Sequence, residues 1–224
     1  AAFIILETLH LPVDDINPWL DATLLRAECL ALDAVIEARI SSRKPAAYLL
    51  KKTYMHGVPF YVDERVIVPR SYIGDILMKG DITELIEGAA DVRHVLDLCT
   101  GSGCLAILAA MVFPHADVMA VELSADALDV AHRNVREHKM QNRVTLLQGD
   151  LFQPVGKQKF DLIIANPPYV AQAEVDAFPL EYSAEPQIAH LGGTDGLDIV
   201  RTIIRQSGKH LDEGGSLLCE IGTG

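Results

Sequence analysis

From His94 onward one unit recurs: a short apolar run, a turn bearing glycine or an acid, then a run with helical spacing. The apolar runs are His94–Leu98, Asp117–Val121, Val144–Gln148, Phe160–Ala165 and Ser216–Ile221. Helices are expected over Cys104–Val112, from the N-cap Ser124 to about Lys139, and over about Leu197–His210, with a long loop between Ala165 and Gly196. Brief Val/Ile/Leu runs that alternate with helices build a parallel sheet, because each crossover lays a helix over one face or the other. The expected fold class is α/β, a doubly wound sheet.

The first part of the chain reads differently. Over Asp21–Ile40, Leu24, Leu25, Cys29, Leu32, Ile36 and Ile40 recur at three- and four-residue steps, so a helix is expected after the punctuation of Asp14, Asp15, Asn17 and Pro18. Pro45–Val68, rich in Tyr and Val and interrupted by Gly57 and Pro59, predicts a short β-hairpin. Pro69-Arg70-Ser71 then opens a helix through Met78. Three regions follow: a helical unit over 1–44, a hairpin linker over 45–80, and the sheet-forming region over 81–224.

Composition narrows the function classes. The 224 residues are 50% hydrophobic and 22% charged, which excludes a largely disordered chain. No apolar run reaches the roughly 18–20 residues of a membrane span. The formal charge of −12 argues against gripping bare DNA, and nearly all of it falls on 81–224. Arg39, Arg43, Lys44, Lys51 and Lys52, by contrast, form a run without an acid, either a solvated helix end or a contact for an anionic or RNA-associated partner. Cys29, Cys99, Cys104 and Cys219 are scattered with no C-x-x-C pair, as expected of small residues in a reducing compartment, and no metal site is expected.

Ligands of such sheets bind beyond the carboxyl ends of the strands. Four features fall there. In Asp97-Leu98-Cys99-Thr100-Gly101-Ser102-Gly103 the glycines permit positive φ and close approach of a ligand, although Gly101-x-Gly103-x-x-Ala106 also fits a dinucleotide turn. Glu122 ends the next strand, where a carboxylate can accept both hydroxyls of a ribose. Asp150 could accept from an adenine amino group while Leu151 covers the ring, or Asp150 could simply cap a helix. Asn166-Pro167-Pro168-Tyr169 must end its strand, because two prolines cannot donate ladder hydrogen bonds. Rigid carbonyls beside an amide and an aromatic ring suit an uncharged planar –NH2 group.

These features, in this order, make the chain resemble class I S-adenosylmethionine-dependent methyltransferases. It is most similar to the bacterial protein-(glutamine N5) methyltransferases, through Tyr61-Val62-Asp63-Glu64-Arg65-Val66-Ile67-Val68-Pro69-Arg70-Ser71 and the later Tyr182, Glu185-Pro186 and Gly193-Thr194-Asp195-Gly196-Leu197. Ser71-Tyr72-Ile73-Gly74 stands where the release-factor branch has Pro-Glu-Thr, and resembles the branch acting on the third protein of the large ribosomal subunit.

The resemblance implies a Rossmann-like methyltransferase sheet and S-adenosylmethionine as cofactor. It implies a helical substrate-recognition unit at 1–44, a ribosomal-protein substrate that could lie within an assembling large subunit, and a cytoplasmic setting without membrane or sequence-specific DNA contacts. Cofactor contacts are expected from Pro69, Arg70, Asp97, Cys99, Thr100, Gly101, Ser102, Gly103, Glu122, Asp150, Leu151 and Asn166, and catalytic roles from Asn166, Pro167 and Tyr169. Arg70 would line the methionine end of the cofactor or pair with an acid. Two departures stand out: Cys99 replaces a glycine common in relatives, and the family's closing antiparallel hairpin is missing after Gly224, so a truncated chain is expected. Release-factor methylation, DNA adenine methylation and a silent cofactor-binding assembly factor stay open as alternatives.

Overall fold

The structure, a computed structural model, describes residues 1–80, 82–86, 88–175 and 177–222. Helices α1 (Ala2–Thr8), α2 (Arg26–Ser42) and α3 (Ala46–Leu50) form the first part of the chain. Helix α2 starts five residues later than Asp21 because Glu28 reaches back to accept the Leu25 N–H at 2.7 Å, fixing the first turn there. Its apolar stripe is mostly uncovered: Leu32 is buried, whereas Leu25 and Ile40 are exposed. The hairpin forms between β1 (Thr53–Met55) and β2 (Val58–Phe60), shorter than the apolar stretch that announces it. Helix α4 (Tyr72–Lys79) begins where Ser71 Oγ accepts the Ile73 N–H and ends at Gly80 in the left-handed region; α5 (Ile82–Leu85) is a single turn.

The sheet is made of β3 (His94–Leu98), β4 (Asp117–Glu122), β5 (Val144–Gln148), β6 (Phe160–Ala165) and β7 (Leu211–Cys219), in the order β5-β4-β3-β6-β7. Every pairing is parallel. Helix α6 (Cys104–Val112) follows β3 and α7 (Ala125–Glu137) follows β4; α8 (Gln172–Val175) lies in the long loop, and α9 (Asp198–Ser207) precedes β7. One face of the sheet packs Val95, Val118 and Leu162 against α6 and α4, with Ile107, Leu108 and Leu77 fully buried. The other face packs Leu96, Leu98 and Ile163 against Phe152 and Ile203 of α9. Burial on both faces explains why these strands read as continuous apolar runs.

Strand β7 begins at Leu211, before the expected Ser216, and stops at Cys219. Leu211-Asp212-Glu213-Gly214-Gly215 looks like a turn, yet the pairing jumps from Phe160–Leu211 to Leu162–Ser216, and Gly214 at φ 80° absorbs the bulge. Ile221, expected in the strand, lies exposed beyond it. No strand follows β7, and no helix is long and apolar enough to cross a membrane, among the described residues.

Strand β3 pairs with β4 on one side and β6 on the other, so the chain order reverses beside it. Leu98 lies opposite Ala165, and the next residues, Cys99 and Asn166, leave the sheet side by side at this switch point.

Candidate active site

The loop after β3 holds Cys99, Gly101 and Gly103 at φ 59°, 55° and 80°. A Cβ on Gly103 would sit 3.2 Å from that of Ala131, so this glycine lets α7 approach closely. At Gly101 a Cβ would meet nothing within 4 Å; its bare face opens toward the cleft. Below the loop, Asp97 is fully buried and accepts from Thr100 Oγ1 at 2.5 Å. Burial pushes the Asp97 carboxyl up to about 7, against the pull of the Thr100 hydroxyl. The Thr100 amide donates to the Val121 carbonyl, and the Ser102 carbonyl accepts from Asn134 Nδ2 at 2.8 Å.

Glu122, at the end of β4, accepts the Gly101 N–H at 2.8 Å on one oxygen and the Ser124 N–H at 2.9 Å on the other. Both oxygens are therefore held in place by backbone while the side chain lines the cleft. Past β5, Asp150 is exposed at the cleft, and the following short helical turn starts from Phe152, not from an Asp150 cap. Leu151 sits at φ 47°. A left-handed leucine costs about 1–2 kcal/mol, and it presents its apolar side chain to the same cleft.

The cleft opens to solvent and is walled by Val66, Ile67, Val121, Leu123 and Ile199 between these polar groups. Of the residues expected at the cofactor, Cys99, Gly101, Glu122, Asp150, Leu151 and Asn166 line it. Asp97, Thr100, Ser102 and Gly103 are not among its lining residues and support the loop that does. Burial, with the Glu122 and Asp97 carboxylates nearby, pushes the Cys99 thiol far up, so it stays a neutral wall residue.

A second cleft adjoins the first. Pro167 and Tyr169 line it, Pro168 lines the first, and Asn166 lines both. Asn166 Nδ2 donates to the Arg70 carbonyl at 3.1 Å. Its Oδ1 and the Pro167 carbonyl receive no protein donor among the described residues, so both remain acceptors at the junction. The loop carrying Gly192 and Gly196 clasps this segment: Val170 N–H donates to the His190 carbonyl and Gly192 N–H to that of Val170, each at 2.9 Å. A Cβ on Gly192 would lie 2.7 Å from the Pro168 oxygen, and one on Gly196 2.4 Å from that of Tyr169.

Arg70 is not a wall of the first cleft. It forks onto Glu185 at 2.9 and 3.3 Å, stacks over the Tyr182 ring and lines the second cleft with Phe178 and His190. Pro69 lines neither cleft. Glu185 is buried, and its partners hold its carboxyl below the ordinary range despite desolvation. Glu220, unremarked in the sequence, follows β7 and accepts from Ser71 Oγ at 2.5 Å and the Tyr72 N–H at 3.1 Å. Burial first, and then the Glu220 carboxylate, raise the Tyr169 phenol. The signal that finds Glu122, an acid at the carboxyl end of a strand, misses Glu220 because the expected strand runs on to Ile221, whereas β7 stops at Cys219.

Residues 82–181 match the family described as Methyltransferase small domain. The chain is 54% identical to the ribosomal protein uL3 glutamine methyltransferase of Bradyrhizobium diazoefficiens, over 100% of this chain and 72% of that protein. It is 50% identical to the protein of the same name in Burkholderia pseudomallei (100% and 75%) and 40% identical to that of Francisella tularensis (100% and 71%). Among solved structures, the catalytic domain of hMettl16 in complex with the MAT2A 3′UTR hairpin 6 shares the fold, with a TM-score of 0.59 and 19% identity over 80% of this chain and 67% of that one.

Proposed function

The chain belongs to the family of ribosomal protein uL3 glutamine methyltransferases, and from that premise we propose that it methylates the side-chain amide nitrogen of a glutamine in uL3, using S-adenosylmethionine. The observation that carries the reading is Asn166: one side chain lines both clefts, where a group held in one meets a group held in the other.

The residues of the first cleft fit the cofactor. A carboxylate offers about four acceptor positions, and backbone amides use two of those on Glu122, leaving room for two ribose hydroxyls. The bare face of Gly101 forms a cradle that any side chain would fill. Asp150 and Leu151 frame the adenine, and Cys99 completes the wall. When bound, S-adenosylmethionine supplies a methyl group made electrophilic by its sulfonium centre.

The amide nitrogen of glutamine is a weak nucleophile because its lone pair is delocalised into the carbonyl, so orientation and acceptors matter more than a strong base. Asn166 Oδ1 and the Pro167 carbonyl take the two N–H groups, and the Tyr169 ring packs on the amide plane. As positive character grows on nitrogen these acceptors bind more strongly, a preference for the transition state. Residues 1–44 recognise the substrate and 81–224 carry the chemistry. A ribosomal protein met in an assembling large subunit makes the setting the cytoplasm, and the acidic catalytic region suits a basic substrate.

The test incubates the enzyme and Asn166→Ala with labelled cofactor and either uL3 or a peptide release factor. Label on a uL3 glutamine, lost by more than about a hundredfold in the variant, is the expected result. Label on the release factor alone overturns the substrate, and wild-type transfer by Asn166→Ala overturns the mechanism.

A further inference from the structure

One carboxylate controls the segment that orients Asn166. Glu185 accepts the Val68 N–H at 3.1 Å and the Arg70 guanidinium at 2.9 and 3.3 Å, gripping both ends of Val68-Pro69-Arg70. The carbonyl of the same Arg70 then accepts Asn166 Nδ2. A side-chain amide is two-sided, so fixing where its NH2 points also fixes where its oxygen points. The Glu185 side chain is 3% exposed, and His190 Nε2 lies 3.0 Å from its other flank. A buried carboxylate with this many partners has one available position. It bridges 115 residues to reach Arg70, so the long loop and the segment before α4 are registered to each other at this point.

We propose that Glu185 is a positioning residue for methyl transfer: through Arg70 it sets the rotamer of Asn166 so that Oδ1 faces the substrate amide. The proposal rests on the methyltransferase reading for its kinetic arm only. Glu185 lines neither cleft; it reaches Asn166 through Val68-Pro69-Arg70, and it also touches His190, a wall of the second cleft. Removing its charge therefore leaves the cofactor cleft intact and turns the acceptor at the junction of the two clefts.

The experiment uses the whole chain labelled with 15N-asparagine, which gives four side-chain amide signals, from Asn17, Asn134, Asn142 and Asn166. Asn166→Ala identifies the Asn166 pair. Asn134, which donates to the Tyr61 and Ser102 carbonyls, reports the integrity of the fold. In Glu185→Gln the Asn166 pair is expected to shift while the Asn134 pair stays. kcat should fall at least about tenfold, as a misplaced catalytic group does, with cofactor Kd within about twofold. Combining Glu185→Gln with Arg70→Met should cause little further loss.

An unmoved Asn166 signal in a folded variant overturns the proposal, as does a rise in KM with kcat unchanged. If Glu185→Gln loses the Asn134 signal, Arg70→Met decides by the same two readouts, since Arg70 is half exposed and removable without a buried charge beyond Glu185 itself. Failure of the wild-type enzyme to methylate uL3 would overturn the function and leave the amide-signal result standing on its own.

Discussion

The carboxylate of Glu122 and the amide of Gly101, 21 residues apart, meet at 2.8 Å across the mouth of the first cleft. Strand β4 thereby holds the turn that leaves strand β3. Glu122→Ala removes this bond, the bond to Ser124 and the proposed ribose acceptor together. Hydrogen bonds to a charged group contribute about 1.5–3 kcal/mol, so denaturant unfolding should show a loss of that order. Titration calorimetry with S-adenosylhomocysteine should show affinity down by more than about tenfold. Unchanged affinity would remove Glu122 from the cofactor site.

Cys99 stands at φ 59°, where most side chains crowd the backbone. Cys99→Val should lower the unfolding free energy of the cofactor-free protein by about 1–3 kcal/mol, because a β-branched residue tolerates this region worst. Cys99→Gly relieves the strain but loosens the unfolded chain by about 0.5–1 kcal/mol, so it should stay within about 1 kcal/mol of wild type. Equal stability of all three proteins would show that the turn carries no strain.

Asp97 links stability to pH. Its folded carboxyl is raised from 3.8 to about 7 by burial. Between those values the folded state keeps a proton that the unfolded chain has released. Its contribution is therefore full below about pH 4, falls as pH rises toward 7, and levels off above. Urea unfolding of wild type and Asp97→Asn should diverge accordingly, with the variant gaining relative stability as pH rises from 4.5 to 8. Parallel pH curves would contradict the burial of an ionisable group there.

Gly196 has φ 77°, and a Cβ there would lie 2.4 Å from the Tyr169 carbonyl. Gly196→Ala must push the clasping loop away from Pro168-Tyr169. Single-turnover transfer should slow by more than about tenfold, since the second cleft loses its shape, while cofactor affinity holds within about twofold. Equal loss of both would mean that the two clefts are not separable.

Much of this arrangement is legible in the sequence, because the sheet is buried on both faces. Strands β3, β5 and β6 and helix α6 coincide with their apolar runs, and Ser124 caps α7 with its Oγ accepting the Ala127 N–H. What fails is what depends on distant partners. The polar start of β7 pairs only because Phe160 is there to receive Leu211. Glu185 and Glu220 acquire their roles from Arg70 and Ser71, 115 and 149 residues away, and no local pattern announces such a bond. Arg70 reads from sequence alone as a ligand contact or as the partner of an acid, and only the buried Glu185, 115 residues away, decides between them. The apolar period of α2 marked a helix correctly but said nothing of whether its stripe would be covered.

The doubly anchored carboxylate of Glu122 has a consequence for turnover. As the ribose acceptor proposed above, it would be blind to whether the sulfur still carries a methyl group, so that binding energy would be the same before and after transfer. Such uniform affinity does nothing for the rate of the chemical step. It makes the spent nucleoside a competitor of the fresh one. The enzyme's throughput should accordingly follow the ratio of the two in solution, and hence how quickly other enzymes dispose of the thioether product.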